Sequence, residues 1–191
     1  MSNVRRHTVD PRLLALLKLL PESWRLKALF RFGVSVVPMM RFVRASLVEL
    51  TDEKVVIRID RTRRTKNAYN SLFIGAFSVG GDCAAGLFPM KFMFETGHRT
   101  PPIVRTASAE YFKRVNSYAH FTCTQGRELY ALCNKAVSSG ERHEVEVTVV
   151  VTAPEEFGDE PVAKITQVMS VRVLGSHGGT RSSTLMSRDA A

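Results

Sequence analysis

The chain has 191 residues, 45% of them hydrophobic and 24% charged, with a formal net charge of +9. That length suits one domain with a sizeable core, and the balance is that of a soluble globular protein. Three scattered cysteines (Cys83, Cys123, Cys133) without a CxxC pair argue against a disulfide framework, and with five histidines lacking ligand spacing no metal site is expected. A reducing, cytoplasmic compartment is therefore expected. Nine basic residues against three acids fall within the first fifty positions. Such a surplus suits an anionic partner, although a solvated basic face is the plain alternative.

Residues 1–9 are expected to fray, and Leu13–Leu20 is not expected to be a secretory leader, because Lys18 interrupts it and no small-residue cleavage site follows. A short helix is predicted over 11–20, with Asp10 as N-cap and Pro11 at the first helical position, and Pro21 breaks it. A second helix is predicted over Glu22–Val36. Both are amphipathic and basic. They are expected to pack over the domain as an N-terminal unit spanning 1–37, with peripheral membrane contact through residues 11–44 as the alternative.

Arg41–Leu50 and Val55–Asp60 read as strands joined by the polar turn Thr51–Lys54. The basic loop RTRRTK, residues 61–66, follows. As a nucleic-acid signal it is weak, because no recognised binding motif or interleaved aromatics accompany it. Nucleic acid is not the expected partner.

From Asn67 to Met90 the only charged residue is Asp82. A helix is predicted from about Ser71 to Leu87–Met90, where Gly86 and Pro89 are expected to end it. Its surface is largely Gly, Ala and Ser, and each interior glycine costs about 1 kcal/mol relative to alanine. Only close packing against something broad offsets that. A membrane span is disfavoured by Asp82, which would cost about 3 kcal/mol at mid-bilayer, and by the scarcity of leucine. A carboxylate in a desolvated site is expensive unless it is paired or used, so Asp82 is the first candidate for chemistry; the plain alternative is a structural helix with a tolerated acid. Gly75 lies seven residues earlier, two turns away on the same face. The first-turn amides around Phe73–Ala76 have no intrahelical acceptor and can polarise a carbonyl. Oxyanion donors at one end and a carboxylate two turns later would hold an acyl group and activate water against it.

Residues 91–102 read as a loop. Ile103–Arg114 and Tyr118–Gln125 are predicted strands, Gly126–Ser139 a helix with Leu129, Leu132, Cys133 and Val137 on one side, and Val145–Val151 and Val162–Val173 strands around the turn-rich PEEFGDEP. Residues 175–191 are rich in Gly, Ser and Thr and are expected to be disordered.

The string N-x7-G-A-x5-D, with Asn67, Gly75 and Asp82, resembles the hot-dog-fold acyl-CoA thioesterases, notably the phenylacetyl-CoA branch. Their pattern is Asn, several residues, His-Gly-Gly, then Asp or Glu seven beyond the second glycine. Phe73 and Ile74 stand in the His-Gly places; the backbone amide survives that change and an imidazole contact does not. Glu110, Phe112 and Arg114 echo the acid-x-Phe and basic residue of the strand after the helix. The helix over 126–139 departs from the layout of the better-known members, so the arrangement looks more like an uncharacterised branch.

The resemblance covers roughly residues 38–174 and implies an α+β hot-dog domain: a curved antiparallel sheet of about six strands around the glycine-rich helix, with the N-terminal helices added. It implies a homodimer, or a dimer of dimers, with sites where protomers meet. Asp82 is the implied general base or nucleophile, the Ile74 or Gly75 amide the implied holder of the thioester oxygen, and Asn67 of the partner subunit an orienting group. Phe73 and Ile74 would line the substrate, while Arg61, Arg63, Arg64, Lys113 and Arg114 would meet the phosphates of coenzyme A, which is part of the substrate; no cofactor is implied. The plain roles are a turn or helix-entry residue for Asn67, close packing for Gly75 and an inert buried thiol for Cys83. A non-catalytic acyl-CoA or fatty-acyl binder of the same fold is the second hypothesis, and a basic membrane-surface or nucleic-acid protein using residues 1–66 the third.

Overall fold

The computed structural model describes residues 22–174. In chain order the elements are α1 (Glu22–Val36), α2 (Pro38–Val43), β1 (Ser46–Leu50), β2 (Val55–Asp60), α3 (Ile74–Thr96), β3 (Pro102–Tyr111), β4 (Tyr118–Cys123), α4 (Gly126–Ser139), β5 (His143–Thr152), α5 (Pro154–Phe157) and β6 (Pro161–Val171). The predicted helix over 11–20 and the predicted disorder over 175–191 lie outside the described residues.

Six strands form one open sheet in the order β1-β2-β4-β5-β6-β3, antiparallel throughout, so β1 and β3 are its edges. The β1–β2 turn is held by Thr51, whose Oγ1 accepts from the Glu53 and Lys54 amides at 3.3 and 2.9 Å. Strand β6 buries Ala163, Ile165, Gln167, Met169 and Val171 at alternate positions, the period expected of a strand with one face in the core.

Helix α3 crosses this sheet against β2, β4 and β5, and its small residues explain how closely. A Cβ at Gly80 would fall 2.6 Å from the Phe121 ring of β4, and one at Gly81 would fall 2.9 Å from Cδ1 of Ile165 on β6. A larger side chain would have to push aside the Phe121 ring at Gly80 and the tip of Ile165 at Gly81. The helical cost of the glycines is offset by burial of Phe77, Leu87, Phe88 and Phe92.

Three sequence expectations are corrected. Residues 41–43 belong to helix α2, not to a strand over Arg41–Leu50: Pro38 starts the helix, Met40 and Val43 share a buried face at helical spacing, and Arg44 in the left-handed region (φ 54°) ends it. Helix α3 begins at Ile74 rather than Ser71 and continues past Pro89 to Thr96, so residues 91–96 are helix and not loop. The ring of Pro89 removes one backbone hydrogen bond, a cost of about 3 kcal/mol, but Phe88, Pro89, Lys91 and Phe92 are all buried and hold the helix together. Its stop is Gly97 (φ 77°), whose amide donates to the Met93 carbonyl. Finally, β3 ends at Tyr111, which leaves Phe112, Lys113 and Arg114 beyond the strand; the Phe112 and Lys113 amides both donate to the Val162 carbonyl.

Candidate active site

Phe73 is extended (φ −78°, ψ 143°) and brings the chain to the start of α3 without a side-chain cap. Its own amide donates to the Thr65 carbonyl at 2.7 Å, and its carbonyl accepts from the Ala76 and Phe77 amides. The Ile74 and Gly75 amides find no acceptor among the described residues. They are the free donors that a helix N-terminus leaves for a carbonyl or anion. A Cβ at Gly75 would stand 3.0 Å from the Phe73 ring, so glycine there also lets that ring lie over the first turn.

One and two turns on, Ser78 and Asp82 follow Ile74 on the same face. These three residues form one wall of an open groove of about 460 Å³; Val104, Ala107, Ser108, Ala109 and Tyr111 of β3 form the other, and Ile165 and Gln167 of β6 the floor. The Tyr111 and Phe77 rings meet in a T-shaped contact, with centroids 5.2 Å apart. Ser78 spends its hydroxyl on the Ile74 carbonyl at 3.2 Å.

Asp82 makes no hydrogen bond or ion pair within the described residues. Because the groove is open, the side chain is exposed in the single chain rather than sheltered, which modifies the sequence expectation. The surrounding protein still strips enough water from it to push its pKa above the ordinary carboxylate value. Burial, and then the Asp82 charge, push the neighbouring Cys83 thiol up to about 12. That thiol is buried and holds its proton at neutral pH, as an inert core residue does.

Gln167 is a site residue that sequence reasoning missed. It is 4% exposed, and its Oε1 is buried without a hydrogen-bond partner. Buried polar atoms are nearly always paired, so this one marks the groove floor as unusual. The signal was in the sequence: within the inward series of β6 it is the polar member among Ala163, Ile165, Met169 and Val171.

The other sequence candidates do not line the groove. Asn67 organises its own loop: Oδ1 accepts from the Tyr69 and Ser71 amides at 2.9 and 3.1 Å, and Nδ2 donates to Ser71 Oγ at 2.9 Å. Arg61 ties two loops together, with Nε on the Asn116 carbonyl at 2.5 Å and Nη1 on Asn70 Oδ1 at 2.9 Å. Arg64 lies over the Phe42 ring of α2 at 5.8 Å. Lys113 is paired with Glu160 at 2.5 Å and sits 4.6 Å from the Phe157 ring centroid, and Arg114 is exposed beside the Tyr69 ring at 5.9 Å. Arg63 is exposed and has no ion pair among the described residues. The described residues contain no group of His, Cys, Asp and Glu arranged to hold a metal ion, and no helix among them is long and apolar enough to cross a membrane.

Residues 26–171 match the model of a family described as a domain of unknown function (DUF4442), and the chain belongs to that family. No curated protein matches the sequence. Among solved structures, a Pseudomonas aeruginosa protein of unknown function described as a "probable thioesterase" is similar at TM-score 0.62 and 15% identity, over 81% of this chain and 97% of that one. A thioesterase family protein from Silicibacter pomeroyi is similar at TM-score 0.58 and 14% identity, over 78% and 98%. A protein of unknown function from Chlorobaculum tepidum is similar at TM-score 0.66 and 13% identity, over 77% and 93%. Likeness at such identities shows the fold alone: a hot-dog-like antiparallel sheet crossed by a long helix.

Proposed function

We propose that this member of the DUF4442 family is an acyl-CoA thioesterase of the hot-dog superfamily. The observation that carries the reading is the unpaired Asp82 carboxylate, with its raised pKa, in a largely apolar groove two turns after the free Ile74 and Gly75 amides. The acyl chain lies in the groove with its carbonyl oxygen at those amides, which hold the negative charge as it develops. Asp82 removes a proton from water as the water oxygen attacks the thioester carbon. The tetrahedral intermediate then collapses, the C–S bond breaks, and the proton returns from Asp82 to the departing thiolate of coenzyme A.

The groove closes in a homodimer. Strand β3 has one unpaired edge, and Ile103, Tyr111, Phe112, Phe73 and Ile74 are exposed large apolar residues on β3, just beyond it or at the α3 N-terminus. A second copy laid along that edge would bury them and take Asp82 out of bulk water. Asn67 of the partner subunit then reaches water or substrate with the Nδ2 hydrogen that Ser71 does not use. Arg63 and Arg114 are the sequence candidates free to meet the coenzyme A phosphates, since Arg61 and Lys113 are engaged within the fold. The finer resemblance to the phenylacetyl-CoA branch rests on Asn67, Gly75 and Asp82 and belongs to this proposal.

A non-catalytic acyl-CoA binder is the second reading, favoured by Phe73 and Ile74 in place of His-Gly and by the exposure of Asp82 in a single chain. Steady-state hydrolysis of acyl-CoAs of graded length, with phenylacetyl-CoA among them, separates the two. The wild type is expected to turn over, with Asp82→Ala and Asp82→Asn impaired. Tight binding without turnover selects the binder, and equal rates in all three proteins remove Asp82 from the mechanism.

A further inference from the structure

The corner where α1 meets α2 exposes Val36, Val37, Met39 and Phe42, at 42%, 42%, 55% and 49% accessibility. Both helices are anchored, since Phe30, Met40 and Val43 from the same segment lie in the core. The segment is therefore apolar on two sides, and over its outward side lies the Arg64 guanidinium, 5.8 Å from the Phe42 ring centroid. Met39 and Phe42, three residues apart, share one face of α2. Beside them runs a shallow groove of about 550 Å³ lined by Pro38, Arg41, Phe42 and Arg64 among others. Arg41, Arg44, Arg63 and Arg64 are exposed, and none makes an ion pair among the described residues.

We propose that this corner docks on an anionic phospholipid bilayer. Met39 and Phe42 enter the boundary between headgroups and acyl chains, while Arg41 and Arg64 meet lipid phosphates. Apolar tips ringed by unpaired arginines match both layers of such a surface at once. A second copy of the chain fits less well, because a self-complementary contact would set these arginines against one another. Nucleic acid would satisfy the arginines but leave the aliphatic Val36, Val37 and Met39 without a partner. The proposal is independent of the thioesterase reading, since it uses none of the groove that holds Asp82.

The test is sedimentation of the full chain with phosphatidylcholine vesicles, with and without a phosphatidylglycerol fraction. Binding is expected only to the anionic vesicles and should weaken with added salt. The double substitution Arg41→Gln/Arg64→Gln is expected to lower the affinity about 30-fold. Met39→Ser/Phe42→Ser, at exposed positions that leave the fold intact, is expected to lower it about tenfold with an unchanged melting temperature. Absence of binding to anionic vesicles, equal binding to both vesicle types, or unchanged affinity in both variants overturns the proposal. Vesicle-free self-association or nucleic-acid binding that the same substitutions abolish also overturns it.

Discussion

Along helix α3, Asp82 in the N-terminal half and Lys91 in the C-terminal half each place a charge within an apolar run, in opposite settings. Lys91 is 2% exposed and fully answered: Nζ reaches Asp52 at 2.6 Å, Glu95 at 2.8 Å and the Tyr130 hydroxyl at 3.2 Å. Tyr130 in turn donates a short hydrogen bond to Glu95. Burial alone would lower the Lys91 pKa, but these partners outweigh it and hold the ammonium charged. Asp82 is more open to water and has no partner, and burial alone raises its pKa. One charge is neutralised by its neighbours and serves the fold. The other is left unanswered on the wall of a groove, which makes it a candidate for chemistry.

The largest expected effect breaks the functional half of that comparison. Asp82→Asn keeps the shape and removes the proposed base, and kcat for acyl-CoA hydrolysis is expected to fall about 10²–10⁴-fold. In the wild type, the pH profile of kcat/KM should rise through a pKa above the ordinary carboxylate range, and the Asn variant should lose that limb.

The packing beneath both halves is tested by Gly80→Val, whose side chain would run into the Phe121 ring. Destabilisation of about 3 kcal/mol is expected in urea titration. A stability within experimental error of wild type would mean that the helix lies farther from the sheet than described.

The structural half is tested by Lys91→Ala. An expected loss of about 2 kcal/mol lies below the cost of breaking a fully buried pair, because Asp52 and Glu95 both reach solvent and can rehydrate. Activity should be unchanged apart from any fall in folded fraction.

The smallest effect concerns stability at Asp82 itself. A carboxyl whose folded pKa is raised is most compatible with the fold when protonated, below its unfolded pKa, and costs stability as pH rises through the folded value. Asp82→Asn should therefore melt slightly above wild type at neutral pH, with the difference vanishing on acidification. A variant that melts lower at neutral pH would reveal a partner for the carboxylate, such as a residue of a second subunit.

Local patterns in the chain were enough for α1, β2 and α4, whose predicted and observed spans coincide. In β2 and α4, a short apolar run or helical spacing and the flanking turns agree. The small-residue run around Asp82 announced a helix that must be packed tightly, and Gly80 and Gly81 against Phe121 and Ile165 give the reason. The same reasoning misplaced the end of α3, because a proline that usually stops a helix is tolerated when the residues beside it are buried. It also placed the basic residues at 61–66 and 113–114 by sequence proximity, although Arg61 is spent on two loops and Lys113 on an ion pair.

The sequence by itself determined that one acid would stand in an apolar, glycine-rich helix two turns from free amides, because charge, residue size and helical period are local properties. Tertiary structure alone decided what faces that acid. The β3 wall, the Gln167 floor and the open mouth of the groove come from strands far apart in the chain, brought together by antiparallel pairing in an order that no short pattern encodes.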